Sequence, residues 1–169
     1  MQAKPYWIPG PWRGNIAILL RPRGGDWLED DIASWWAHDF DVIVSLLTIG
    51  EMYELALDHE QALLEQYGMQ FLNLPIPDRS VPDSLMLVQE LIQKLSALLK
   101  QGKQIGIHCR QGVGRSSMIT AILLSSTGMP AEQAFQHIQV ARGCPVPDTE
   151  QQRQWVSRLV EWERLFHYP

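Results

Sequence analysis

The sequence predicts an α/β fold: a mainly parallel central sheet flanked by helices on both faces, with a helical C-terminal end. Short apolar runs bounded by turn residues alternate with longer stretches of helical periodicity, as parallel βαβ units require. From Pro130 onward only helical patterns remain. The chain has 169 residues, 46% apolar and 20% charged, which suits one globular domain over 1–169.

In chain order, the first fifteen residues hold Pro5, Pro9, Gly10, Pro11 and Gly14 around Trp7 and Trp12. They read as an irregular segment laid over the core. Residues 16–20 form a short apolar run, a buried strand. Asp26 is a natural N-cap for a helix over 27–38, with Glu29, Asp30 and Asp31 in its first turn. Residues 42–47 read as a second strand, 51–66 as one helix ending at Gly68, and 69–74 as a third strand running into Pro75-Ile76-Pro77-Asp78. Asp83 is placed to cap the most regular helix, whose Leu85, Val88, Ile92, Leu95 and Leu99 fall at helical spacing before Gly102. Strand 104–108 then leads through a glycine-bearing loop into helix 115–126. Helices 130–141 and 149–166 close the chain; Pro130 suits a first-turn position. In the last helix Trp155, Leu159, Trp162 and Phe166 share a face. The tryptophans are expected to pack the core and the N-terminal segment, with at least one of Trp35 and Trp36 buried.

Lys and Arg total 14 against 19 Asp and Glu, a formal charge of −5. That surplus argues against a nucleic-acid binder, which displays a basic stripe. It leaves room for an anionic substrate in a locally positive pocket. No apolar run reaches the ~20 residues that cross a bilayer, so no membrane role is expected. The N-terminus lacks a secretory h-region. With two cysteines, the chain reads as cytoplasmic, where thiols are kept for chemistry. His38, His59, His137 and His167 show no metal-ligand spacing, and no metal site is expected. Cys144 reads as structural; a disulfide with Cys109 under oxidation is the lesser alternative.

Chemistry concentrates in His108-Cys109-Arg110-Gln111-Gly112-Val113-Gly114-Arg115-Ser116. A cysteine leaves a buried strand, five residues follow, and an arginine opens a helix. Backbone N–H groups of Arg110, Gln111, Gly112, Val113 and Gly114 can curl around an anion, the helix N-terminus adds its positive dipole end, and Arg115 offers a bidentate fork. Cations and a helix N-terminus lower a thiol from about 8.5 to about 3.5–7.5, so Cys109 is expected to be a thiolate poised to attack phosphorus. Ser116 is placed to donate to the sulfur, and His108 to hydrogen-bond loop backbone. Asp78, on a proline-stiffened loop, is the candidate general acid and then base, with Asp83 its rival. Arg79 beside it reads as a surface residue or an anion attractor.

His-Cys-x5-Arg-Ser, here His108-Cys109 to Arg115-Ser116, resembles the signature of the cysteine-dependent protein tyrosine phosphatases. The short chain and acid loop resemble the dual-specificity branch, and Pro75-Ile76-Pro77-Asp78 with Pro82-Asp83 is similar to the kinase-associated phosphatase group. The resemblance implies a phosphate loop over residues 109–115, a Cys109 nucleophile, an Asp78 acid and no metal or organic cofactor. It also implies a phosphorylated protein or peptide as partner. Tyrosine-specific members carry a glutamine-threonine pair whose glutamines position the hydrolytic water. Here Gln152 matches the second glutamine, and Asp148 occupies the first position, either orienting water or capping the helix. Competing readings are a rhodanese-like sulfurtransferase, a catalytically silent phosphate-binding module, and a phosphoinositide or RNA 5′-phosphatase.

Overall fold

A computed structural model describes residues 4–167, with side chains described as far as Glu163. Its centre is a five-stranded sheet in the order β1-β2-β5-β3-β4. The strands β2 (Asn15–Leu19), β3 (Val42–Ser45), β4 (Gln70–Asn73) and β5 (Gln104–His108) run parallel. The expected mainly parallel α/β architecture is thus present. The irregular N-terminal segment is corrected in part. Tyr6–Ile8 forms β1, pairing antiparallel with β2 through Tyr6↔Ile18, Trp7↔Ala17 and Ile8↔Ile16. Its flanking prolines masked it, and prolines are tolerated at the ends of an edge strand.

The pleat sorts side chains onto two faces. Ile16, Ile18, Val42, Val44, Ile105 and Ile107 join one core with α4 (Leu85–Lys100), α5 (Arg115–Ser125), α6 (Ala131–Arg142) and α7 (Glu150–His167). Ala17, Leu19 and Ile43 face α1 (Leu28–Ala37) and α3 (Glu60–Gln66). Arg115 to Leu124 of α5 are all buried, so this helix runs through the interior, packed against β2 and between α4, α6 and α7.

Several boundaries differ from expectation. Asp26 lies in a 3-10 turn, Gly25–Trp27, and α1 starts after it without a side-chain cap. The N-cap of α4 is Ser84, whose hydroxyl accepts from the Leu87 N–H, and not Asp83. Pro130 stands just before α6, at its N-cap. On α7 the buried residues are Gln152, Val156, Leu159 and Val160. Trp155, Leu159 and Trp162 share a face as expected, lining a groove with Pro82 and Leu85, and Trp155 also packs against the core. Phe166 lies beyond the described side chains. Of the tryptophans, Trp35 is buried, whereas Trp27 and Trp36 are exposed.

The single helix expected over 51–66 is two, α2 (Ile49–Glu54) and α3. The Leu57 N–H donates to the Met52 carbonyl and the Ala56 N–H to that of Tyr53. This is the Schellman ending, with Ala56 at φ +54 in the left-handed position that glycine usually fills. Burial of Leu57 against the α1 face holds the turn. Asp39, Gly68 and Gly102 end α1, α3 and α4 in the same way.

Ala56→Gly removes a left-handed cost of about 1–2 kcal/mol and returns about 0.4–1 kcal/mol through the unfolded chain. The expected result is a Tm about 1–4 °C higher by calorimetry. A lower Tm would show that Ala56 is not strained.

Candidate active site

The carboxyl ends of β3, β4 and β5 place three segments side by side: 46–48, 74–80 and the loop after His108. The Leu46 N–H donates to the His108 carbonyl, and the Ile76 N–H to that of Leu46, so the acid loop is laced to the sheet edge. Cys109 sits at the loop's start, 3% exposed. Among the described residues, the backbone N–H groups of residues 110–114 donate to no protein acceptor. They are uncommitted donors in a row, as an anion loop needs.

Gly112 takes a left-handed φ of +65 against β2, where a Cβ would lie 3.0 Å from the Leu19 carbonyl oxygen. At Gly114 a Cβ would lie 2.5 Å from Asp148 Oδ2 and 2.8 Å from Gln152 Oε1. Gly112 therefore requires glycine, and any side chain at 114 would have to push Asp148 and Gln152 aside.

Arg115 is buried, with both terminal nitrogens of its guanidinium engaged. Nη1 donates to Glu51 Oε2 at 2.7 Å and to the carbonyls of Ile76 and Leu46; Nη2 donates to Glu51 Oε1 at 2.9 Å and Asp78 Oδ1 at 3.0 Å. Burial alone would lower the arginine's pKa, but Glu51, Cys109 and Asp78 outweigh it and raise it above its ordinary value. Burial likewise pushes the Glu51 carboxyl up, and the Arg115 fork, the Thr48 N–H and Arg110 overcome that, holding it at about 2. Glu51 also closes a capping box with Thr48 at the start of α2.

Sequence reasoning missed Glu51 as part of the site. The signal available was Thr48-x-x-Glu51 directly after a strand, which marks a helix start at the sheet's binding edge. Arg110 does not reach over the loop; it pairs with Glu51 and Glu54 on α2.

The structure brings Cys109, Arg115 and Asp78 together, while Ser116 and His108 differ from expectation. The Ser116 hydroxyl is buried and makes no hydrogen bond, to the thiol or elsewhere. His108 Nε2 pairs with Glu60 Oε1 at 2.7 Å, both side chains buried, beside the Trp35 ring. The imidazole points from β5 into the α1–α3 layer, because the pleat sends residue 108 to the face opposite Ile107, away from the loop backbone.

Asp148 does not cap the last helix. Thr149 does, accepting from the Gln152 N–H while Gln152 Oε1 accepts from the N–H groups of Asp148 and Thr149. Gln152 Nε2 also donates to the Ser80 carbonyl, tying α7 to the acid loop. Asp83 has no part in the site geometry; it lines the groove with Trp155 and Trp162. Both cysteines are free thiols. No group of three or more metal-binding side chains occurs among the described residues.

Residues 36–164 match the family described as dual specificity phosphatase, catalytic domain. Cyclin-dependent kinase inhibitor 3 of Rattus norvegicus is 31% identical over 121 residues, covering 70% of this chain and 56% of that protein. The Mus musculus protein of that name is 31% identical over 133 residues, 78% of this chain and 63% of its own length. The chain thus spans little more than half the length of these relatives. Among solved structures, kinase associated phosphatase with its catalytic-site cysteine substituted by serine has a TM-score of 0.89 at 20% identity, covering 96% of each chain. Tk-PTP in the active form has a TM-score of 0.78 at 26% identity, covering 95% of this chain and 99% of its own.

Two outcomes follow from these buried polar contacts. Because the Glu51 carboxyl sits at about 2 against an ordinary 4.5, its contribution is full above pH 4.5 and lost as pH falls toward 2. Glu51→Gln should be less stable than wild type at pH 7, with the gap closing across that window in urea titrations at stepped pH. Glu60→Ala leaves the buried His108 Nε2 without its hydrogen-bond partner and should cost about 1–3 kcal/mol. A loss within 1 kcal/mol in the same titrations would show that the pair is dispensable.

Proposed function

This chain belongs to the dual-specificity phosphatase catalytic-domain family, and from that premise we propose that it hydrolyses phosphotyrosine in proteins or peptides, with phosphoserine and phosphothreonine as further substrates. The observation that carries the reading is the row of unpaired N–H groups over 110–114, closed at one end by Cys109 and at the other by Arg115. In the first step the Cys109 sulfur attacks phosphorus while the loop N–H groups and Arg115 hold the non-bridging oxygens. The ester oxygen leaves as an alcohol or phenol, taking its proton from Asp78. In the second step water attacks the cysteinyl-phosphate, Asp78 accepts the water's proton, and the thiolate departs with inorganic phosphate released.

Asp78 at rest contacts Arg115 Nη2. An arriving phosphate competes for that fork and leaves Asp78 at the site mouth, free for proton transfer. Gln152 supports the acid through Ser80, and Asp148 supports the loop beside Gly114. Ser116 would assist thiolate departure only by turning its hydroxyl toward the sulfur.

The engagement of Arg110 with Glu51 and Glu54 favours a single phosphate over the several phosphates of an inositol headgroup. The reading includes one catalytic domain over 1–169 and a cytoplasmic setting. Among the described residues no helix is long and apolar enough to cross a membrane.

Hydrolysis of aryl phosphates and a phosphopeptide panel tests the proposal. Cys109→Ser should abolish turnover. Asp78→Asn should lower kcat by about 10²–10⁴ with poor leaving groups and much less with good ones. Equal losses across leaving groups would move the acid role elsewhere, and wild-type turnover by Cys109→Ser would remove the mechanism.

A further inference from the structure

The phosphate loop is gripped from behind by an arginine that the mechanism does not use. Arg142 is the last residue of α6, where Gly143 at φ +69 ends the helix. Its Nε donates to the Gly112 carbonyl at 2.7 Å, and its Nη2 to the Gln111 carbonyl at 3.3 Å. Its guanidinium carbon lies 3.9 Å from the centre of the Tyr6 ring on β1. The helix is tied to the same N-terminal segment by a 2.8 Å contact between His137 Nε2 and the Pro9 carbonyl.

A trans peptide plane points its C=O and the next residue's N–H in opposite directions. Holding the Gln111 carbonyl toward α6 therefore turns the Gly112 N–H the other way. Holding the Gly112 carbonyl does the same for the Val113 N–H. Both N–H groups are among the uncommitted donors of the loop. Glycine at 112 lowers the barrier to other backbone conformations, so an external restraint is what makes one of them persist.

We propose that Arg142, braced by Tyr6, is a positioning residue that orients the Gly112 and Val113 N–H groups for the phosphate dianion. The assignment rests on the phosphatase reading above for its ligand, but not on turnover. The role needs a fork: two carbonyls are held by one planar group, which lysine cannot imitate. It also makes the edge strand β1 part of the active-site scaffold through a cation–π contact.

The test is binding of inorganic phosphate by calorimetry, alongside kcat and KM for an aryl phosphate. Arg142→Met, which keeps the stem and removes the donors, should weaken phosphate binding and raise KM about tenfold, the effect of losing hydrogen bonds from a charged donor. Arg142→Lys should recover only a minor part. Full recovery by lysine would replace positioning with simple charge attraction and overturn the proposal. So would phosphate binding by Arg142→Met within twofold of wild type. Where Arg142→Met fails to fold, Tyr6→Leu serves, with about threefold weaker binding expected from the lost stacking and an unchanged value overturning the role. Wild-type protein that binds phosphate without turnover would sink the phosphatase reading alone, leaving the Arg142 comparison intact.

Discussion

A buried guanidinium must be surrounded by acceptors, and that requirement at Arg115 organises the whole binding edge. Its acceptors come from separate segments: Glu51 on α2, the Leu46 carbonyl after β3, and the Ile76 carbonyl and Asp78 carboxylate after β4. None of these segments is adjacent to the loop in sequence. Each is brought to the same place because parallel strands end on one side of the sheet. The cation thus joins the phosphate loop, the acid loop and α2 into one unit. Among those partners Asp78 is the one exposed carboxylate, so under the proposed reading it is the one a phosphate would displace.

A second tier of contacts positions the loop without touching a ligand. Gln152 joins α7 to Ser80, Arg142 joins α6 to the loop carbonyls, and Glu60 joins α3 to His108. These helices approach from both faces of the sheet. The loop between Cys109 and Arg115 is short, and α5 behind it is buried from Arg115 to Leu124, so its ends have little freedom. What remains to be set is the orientation of its peptide planes, which Arg142 addresses.

How much of this was legible depends on how local the signal was. The sheet, the order of elements and the Cys109–Arg115 loop were readable because strand, glycine, cation and helix signals lie within a few residues of one another. That Asp78 reaches the binding edge beside Arg115 was readable from prolines flanking an acid at a strand end. Glu51 was not, because its local pattern reads as an ordinary helix start and its partner lies 64 residues away. Glu60 had no signal at all; an acid in the first turn of a helix is expected to be solvated. Arg142 had no signal pointing to the loop, since a cation at a helix C-terminus is common for the dipole alone. The break between α2 and α3 was hidden because alanine rather than glycine holds the left-handed position, and β1 because its prolines read as loop. In every missed case a tertiary partner overrode what the neighbours in sequence implied.

The reciprocal cap between Thr48 and Glu51 has a consequence for how this region can change. One side chain begins a helix and also clasps the buried arginine, so spacing and direction are set together. Inserting a single residue between Thr48 and Glu51 would rotate the carboxylate by about 100° around the helix axis and dissolve both bonds at once. Length variation is therefore expected to fall after Glu54, in the linker to α3, where the helical phase of Glu51 is already decided.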